Sequence, residues 1–107
     1  MPDDINYLQL ETEIVRVLKD IYDPEIPVNI YDLGLIYEID MADDRNVKIT
    51  MTLTSPNCPV ADSLLEETRD RVRNIEGIKE VKINLTFDPP WDIENLSEEA
   101  KLELGML

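Results

Sequence analysis

"VKITMTLTSPNCPVADSLLEE", residues 47–67, changes period halfway along, and that change decides the fold. Val47, Ile49, Met51 and Leu53 alternate with Lys48, Thr50, Thr52 and Thr54, the period of two that marks a strand with one buried and one polar face. After Ser55, Pro56 and Asn57 the apolar residues take helical spacing: Val60, Ala61, Leu64 and Leu65, continued by Thr68, Val72 and Ile75. A strand that turns straight into a helix predicts a strand–helix–strand unit. Proline is favoured at the first helical position, so Pro59 is expected there and Cys58 at the N-cap before it.

Working outward, the pattern repeats in both directions. Upstream, Tyr7, Leu10, Ile14, Val17, Leu18 and Ile21 form one helical stripe, expected to end near Asp23 because Pro24 disfavours helix in the residue before it. Pro24 and Pro27 stiffen the following loop, and Gly34 permits a bend into a first strand. There Leu35, Tyr37, Ile39 and Met41 alternate with Ile36, Glu38 and Asp40, and the turn formers of residues 42–46 make a hairpin with the second strand. Downstream, Gly77 ends the helix, and a third strand turns Val81, Ile83, Leu85 and Phe87 inward with Lys82, Asn84 and Thr86 outward. "DPPWD" (88–92) closes that strand, and Ser97 caps a short last helix stopped by Gly105. Three strands with one apolar face need one covering layer, and two helices supply it. The expectation is a single domain over residues 1–107: an α+β two-layer sandwich with a three-stranded sheet.

Composition removes whole classes of function. With no histidine and one cysteine among 107 residues, there is no imidazole base, no intrachain disulfide and no paired-thiol zinc knuckle. Twenty-four acidic residues against 10 basic ones give a net charge of −14, which repels nucleic acid and anionic lipid surfaces. No apolar run reaches the ~20 residues that span a bilayer. The acidic "MPDDINYLQLE" lacks the features of a secretory signal, so a cytoplasmic location is expected.

The chemistry rests on Cys58. Free N–H groups and the helix dipole at an N-cap favour a thiolate, while Asp62 and the overall acidic field oppose it. A lone cysteine also serves as a small packing residue. The residues leave both readings open. "DPEIPVN" (23–29) likewise reads either as a capped helix end with a stiff loop or as a source of carboxylates, Asp23 and Glu25, beside the thiol. Trp91 either packs over the core edge or screens one side of the thiol. The polar sheet face of Thr50, Thr52, Lys82, Asn84 and Thr86 is a wet surface or a docking surface.

Three stretches together, "DPEIPVNIYDLGLIY", "MTLTSPNCPVAD" and "FDPPWDIENLSEEAKLELG", resemble the SufT-type iron–sulfur assembly domain, in the family's order from Glu11 to Gly105. Relatives of that family include PaaD, the cytosolic iron–sulfur targeting factors and the N-terminal domain of some Mrp-type carriers. The resemblance implies a fold like the C-terminal domain of NifU and a maturation factor, not an enzyme, that assists cluster delivery to apo-proteins. It puts the functional residues at Asp23, Glu25, Thr52, Thr54 and Cys58. The additional cysteines of the PaaD branch are absent, which favours the stand-alone SufT type. One thiolate, even aided by Asp23, falls short of the four ligands a cluster usually takes. It suits a transient cluster whose missing ligands come from the client, a small thiol or a second protomer, with none held stably by the monomer. Two other readings stay open: a thiol enzyme with Cys58 as nucleophile and Asp23 as base, and an adaptor in which Cys58 only packs.

Overall fold

The computed structural model describes residues 7–23, 26–42, 44–54 and 61–105, with residues 7, 61 and 62 described by their backbone alone. The elements run α1 (Tyr7–Leu18), β1 (Ile36–Met41), β2 (Asn46–Met51), α2 (Ala61–Arg73), β3 (Glu80–Leu85), a 3₁₀ turn (Ile93–Asn95) and α3 (Glu98–Glu103). The sheet order is β1-β2-β3, with β1 antiparallel to β2 and β2 parallel to β3. The α+β architecture is the expected one. The parallel pair makes β2–α2–β3 the crossover unit that the change of period predicts.

The core follows the two periods. Ile14 and Leu18 from α1, Val47, Ile49 and Met51 from β2, and Leu64 and Val72 from α2 are buried together. At the other end of the chain, the Ser97 hydroxyl accepts the Ala100 N–H at 3.1 Å, and Leu96 and Ala100 join the same core.

Three expectations are corrected. First, α1 stops at Leu18 rather than near Asp23. Its last turn tightens into i→i−3 bonds at Asp20 and Ile21. The chain then leaves in extended form, with Tyr22 bridging Asn29. Arg71 of α2 caps this end by donating to the Asp20 carbonyl at 3.0 Å and to its carboxylate at 2.6 Å. The hydrogen bond to Asp20 raises the guanidinium above its ordinary value, outweighing desolvation, with further Coulombic help from Asp20 and Glu67. On α1 the Glu13 carboxylate does the same for Arg16.

Second, β2 ends at Met51, so its alternation does not reach Thr52, which is fully buried instead of facing solvent. The loop after α1 sends Val28, Ile30, Leu33 and Leu35 into the same core as Met51 and Leu53. Third, Leu85 and Phe87, expected inward, are 38% and 40% exposed. Along β3 cover fades from buried Val81 through half-buried Ile83 to Leu85. β3 is an edge strand, and no second element flanks it among the described residues.

Candidate functional site

The loop between α1 and β1 is built by its own backbone. Ile30 N–H donates to Ile21, Leu35 N–H to Ile30, and Thr52 N–H to Leu35 at 2.8 Å. These three bonds carry the segment holding Asp23 to the C-terminal end of β2, where Thr52 sits. Asp23 is only 6% exposed, and its Oδ1 accepts the Ile26 N–H at 3.1 Å. That bond folds the chain back on itself, and Asp23 N–H donates to the Val28 carbonyl at 3.2 Å. Asp23 therefore holds the loop, as the first reading of "DPEIPVN" expects, but it caps no helix end, because α1 stops at Leu18.

Sequence reasoning missed the pair that locks this loop. Asn29 Oδ1 accepts the Asp32 N–H at 2.8 Å, while Asn29 Nδ2 donates to Asp32 Oδ2 at 2.9 Å, and both residues are buried. The available signal was the i, i+3 spacing of two turn-forming polar residues inside an apolar run. Asp32 also accepts the Ser97 N–H on its carbonyl at 2.8 Å, which brings the C-terminal segment onto the loop. Trp91 is half-buried against the core and donates its indole N–H to the Leu33 carbonyl at 2.6 Å. Gly34 makes the bend between them at φ +82°, and a Cβ there would collide with the Asn95 carbonyl and side chain.

One group in this assembly has no partner. The Thr52 hydroxyl is fully buried and makes no hydrogen bond to any described residue. Buried polar groups are nearly always paired, so such an exception marks a place where another group is expected. Thr54, two residues on, is partly exposed and engaged in an interaction of its own. Glu25, Cys58 and Pro59 lie outside the described residues, so the N-cap reading of Cys58 and the thiol-screening reading of Trp91 are not addressed by this geometry. Of the predicted site residues, Thr52 is joined by the backbone ladder to Ile21, two residues before Asp23. Among the described residues, no group of three acidic or cysteine side chains is placed to hold a metal ion. No described helix is long and apolar enough to cross a membrane.

A buried loop stapled to the end of β2 defines a small α+β domain with a polar site at one end of the sheet. Comparison with known proteins assigns that class. Residues 11–85 match the model of the family described as iron–sulfur cluster assembly protein, and the chain belongs to that family. It is 57% identical over 101 residues to an "Fe-S protein maturation auxiliary factor" of Porphyromonas gingivalis, covering 94% of this chain and 96% of the relative. It is 31% identical to the "Fe-S protein maturation auxiliary factor SufT" of Staphylococcus aureus, over 80% of this chain and 98% of that one. The fold matches the crystal structure of a domain of unknown function, DUF59, from Bacillus anthracis, with a TM-score of 0.86 and 32% identity. That match covers 95% of this chain and all of the other.

Proposed function

We propose that this protein is a non-enzymatic maturation factor that assists the assembly of iron–sulfur clusters and their delivery to apo-proteins, with the cluster as its cargo. The observation that carries the reading is the orphaned Thr52 hydroxyl, buried at the strand end to which the Asp23 loop is stapled. It stands three bonded pairs from Ile21, two residues before Asp23, and six residues before the single cysteine, in a chain of this family. Cys58 supplies one thiolate to the cluster, and the client's thiolates or a second protomer's supply the others. Delivery is then ligand exchange: the client's thiolate replaces that of Cys58 on iron, with no change in oxidation state required of the protein.

Asp23 spends one carboxylate oxygen on the Ile26 N–H, which suits a positioning residue better than the free base a thiol enzyme would need. Among the described residues two buried polar side-chain atoms lack a partner, Asn46 Oδ1 and the Thr52 hydroxyl, and of these Thr52 lies at the strand end beside the loop and offers a donor for cluster sulfide or for the thiolate. The protein works in the cytoplasm, on apo-proteins and the assembly machinery.

Anaerobic reconstitution with iron and sulfide, followed by desalting, tests this on wild type and Cys58→Ser. Wild type should retain less than one cluster per chain, with bound iron tracking dimer formation, and the serine variant should retain none. In cells lacking the gene, the serine variant should fail to restore iron–sulfur enzyme activity although it folds, because serine is itself a good N-cap residue. Equal cluster retention or equal rescue by the serine variant would falsify the role given to Cys58.

A further inference from the structure

The layer that covers the sheet thins out at β1. On β2 the inward residues Val47, Ile49 and Met51 are buried, but their cross-strand neighbours Met41, Ile39 and Ile36 are only half-buried. A cleft of about 480 Å³ lies along this edge between the strand and α1. Val15, Ile36 and Ile39 give it an apolar lining, and its charged lining is Glu11 and Glu38, with no cation. Two tyrosines that also line it are already engaged. Lys19 lies over the Tyr31 ring at 5.5 Å, and the Tyr37 hydroxyl donates to the Pro89 carbonyl at 2.8 Å. The carboxylates are not: among the described residues Glu11, Glu38 and Asp40 make no ion pair.

The backbone at this edge is open in a definite register. At the hairpin end of the β1–β2 pair the Ala42 N–H donates to the Asn46 carbonyl at 2.9 Å, and at the other end the Thr52 N–H donates to Leu35. Antiparallel bonding alternates, so Glu38 and Asp40 spend their main-chain groups on Thr50 and Lys48. The N–H and C=O groups of Ile39 and Met41 therefore point away from β2, and no described residue pairs with them. The side chains alternate in step. Ile39 and Met41 turn toward the core, while Glu38 and Asp40 both lie on the uncovered face, in the rows of Thr50 and Lys48. Acidic side chains on an open edge repel strands that carry no positive charge, so they guard the edge and choose its occupant at once.

We propose that the β1 edge takes up an extended segment of a partner protein as a fourth strand, one in which apolar side chains alternate with lysine or arginine. Hydrogen bonds to Ile39 and Met41 hold its main chain. Its inward apolar side chains enter the cleft beside Val15 and Ile39 and complete the cover that β1 lacks. Its outward cations, two residues apart, meet Glu38 and Asp40, which share one face of the strand. A second copy of this chain is a poor occupant, because pairing β1 with β1 sets carboxylates against carboxylates. The inference stands apart from the cluster reading, since this edge holds none of the residues assigned to the cargo.

The test is an NMR titration of the full chain with three capped peptides at physiological ionic strength. The first is acetyl-Thr-Val-Lys-Val-Lys-Val-Thr-amide. The second has the same composition without the alternation, acetyl-Val-Thr-Lys-Lys-Thr-Val-Val-amide, and the third carries glutamate in place of both lysines. The alternating lysine peptide should shift the amides of residues 36–41 saturably. It should also slow hydrogen exchange at Ile39 and Met41, the two amides that face the edge, which loose attraction to an acidic surface would not do. The scrambled and glutamate peptides should each bind at least about tenfold more weakly, as expected for losing two semi-exposed charge contacts. In the double variant Glu38→Lys, Asp40→Lys the preference should pass to the glutamate peptide. Both side chains are exposed, and the three peptides on wild type decide the question even where that variant folds poorly. Equal affinity for the alternating and scrambled peptides, unchanged exchange at Ile39 and Met41, or no saturation at millimolar peptide would each overturn the inference. So would concentration-dependent shifts of residues 36–41 without peptide, which would make a second copy of this chain the occupant.

Discussion

Two sets of polar groups are buried within one hydrogen-bond ladder of each other, and the fold treats them in opposite ways. Asn29 and Asp32 satisfy one another twice, and Asp32 additionally anchors Ser97. The Thr52 hydroxyl, reached from the same loop through Leu35, is left without a partner among the described residues. Leaving a buried donor or acceptor unpaired costs roughly 1–3 kcal/mol, a large share of the stability of a small domain. The first pair is therefore explained by the fold. The second group is not, and its cost to the fold is the reason for placing it in the site.

The comparison can be broken most forcefully at Asp32. Asp32→Ala removes the acceptor of Asn29 Nδ2 and leaves that donor buried and unpaired. The loss should be about 3 kcal/mol, read as a fall in Tm of about 12–20 °C for a domain of this size. Asp32→Asn, which keeps an acceptor oxygen, should lose less. A fall of only a few degrees for the alanine variant would mean the pair does not lock the loop.

Trp91 gives a smaller and cleaner effect. Trp91→Phe keeps an aromatic ring against the core and removes the indole N–H bond to Leu33, so chemical denaturation should show a loss of about 1 kcal/mol. Cluster retention should be unchanged, because the carbonyl it serves belongs to the loop that Asp32 already holds. A selective loss of cluster with stability intact would instead favour the thiol-screening role for Trp91.

The sequence carries the layers of this fold clearly and its site only in part. Period two and period 3.6 sort the strands from the helices, and the strand-to-helix switch at residues 54–61 announces the crossover that makes β2 and β3 parallel. Ser97 and Gly34 are legible because each has a local mechanism: a hydroxyl that caps a helix, and a bend that tolerates no Cβ. Periodicity fails where a loop covers a strand. Thr52 lies in an alternating run, yet it is buried because residues 28–35 pack over the strand end, a contact between segments about 20 residues apart that no local pattern encodes. Leu85 and Phe87 fail in the opposite sense, because alternation gives a face but does not say how far the covering helix extends along it. Asn29 and Asp32 look like ordinary loop residues until the fold buries them.

The smallest expected change in stability is at Thr52, and it sharpens the comparison most because its sign is the test. Thr52→Val replaces the orphan hydroxyl with a methyl of similar shape. An ordinary buried threonine loses a hydrogen bond in this exchange and is destabilised. Here there is no bond to lose among the described residues, and burying one polar group fewer should leave stability unchanged or raise it by about 1 kcal/mol. Thr52→Ser does the reverse. It keeps the hydroxyl and removes a buried methyl, at a cost of about 1 kcal/mol. If the hydroxyl serves the cargo, valine should be the more stable variant with impaired client maturation, and serine the less stable one with maturation retained. Stability and function would then move in opposite directions across one pair of substitutions, which packing alone does not produce. Valine that destabilises and serine that does not would mean the hydroxyl is bonded within the fold, and Thr52 would belong with Asn29 and Asp32.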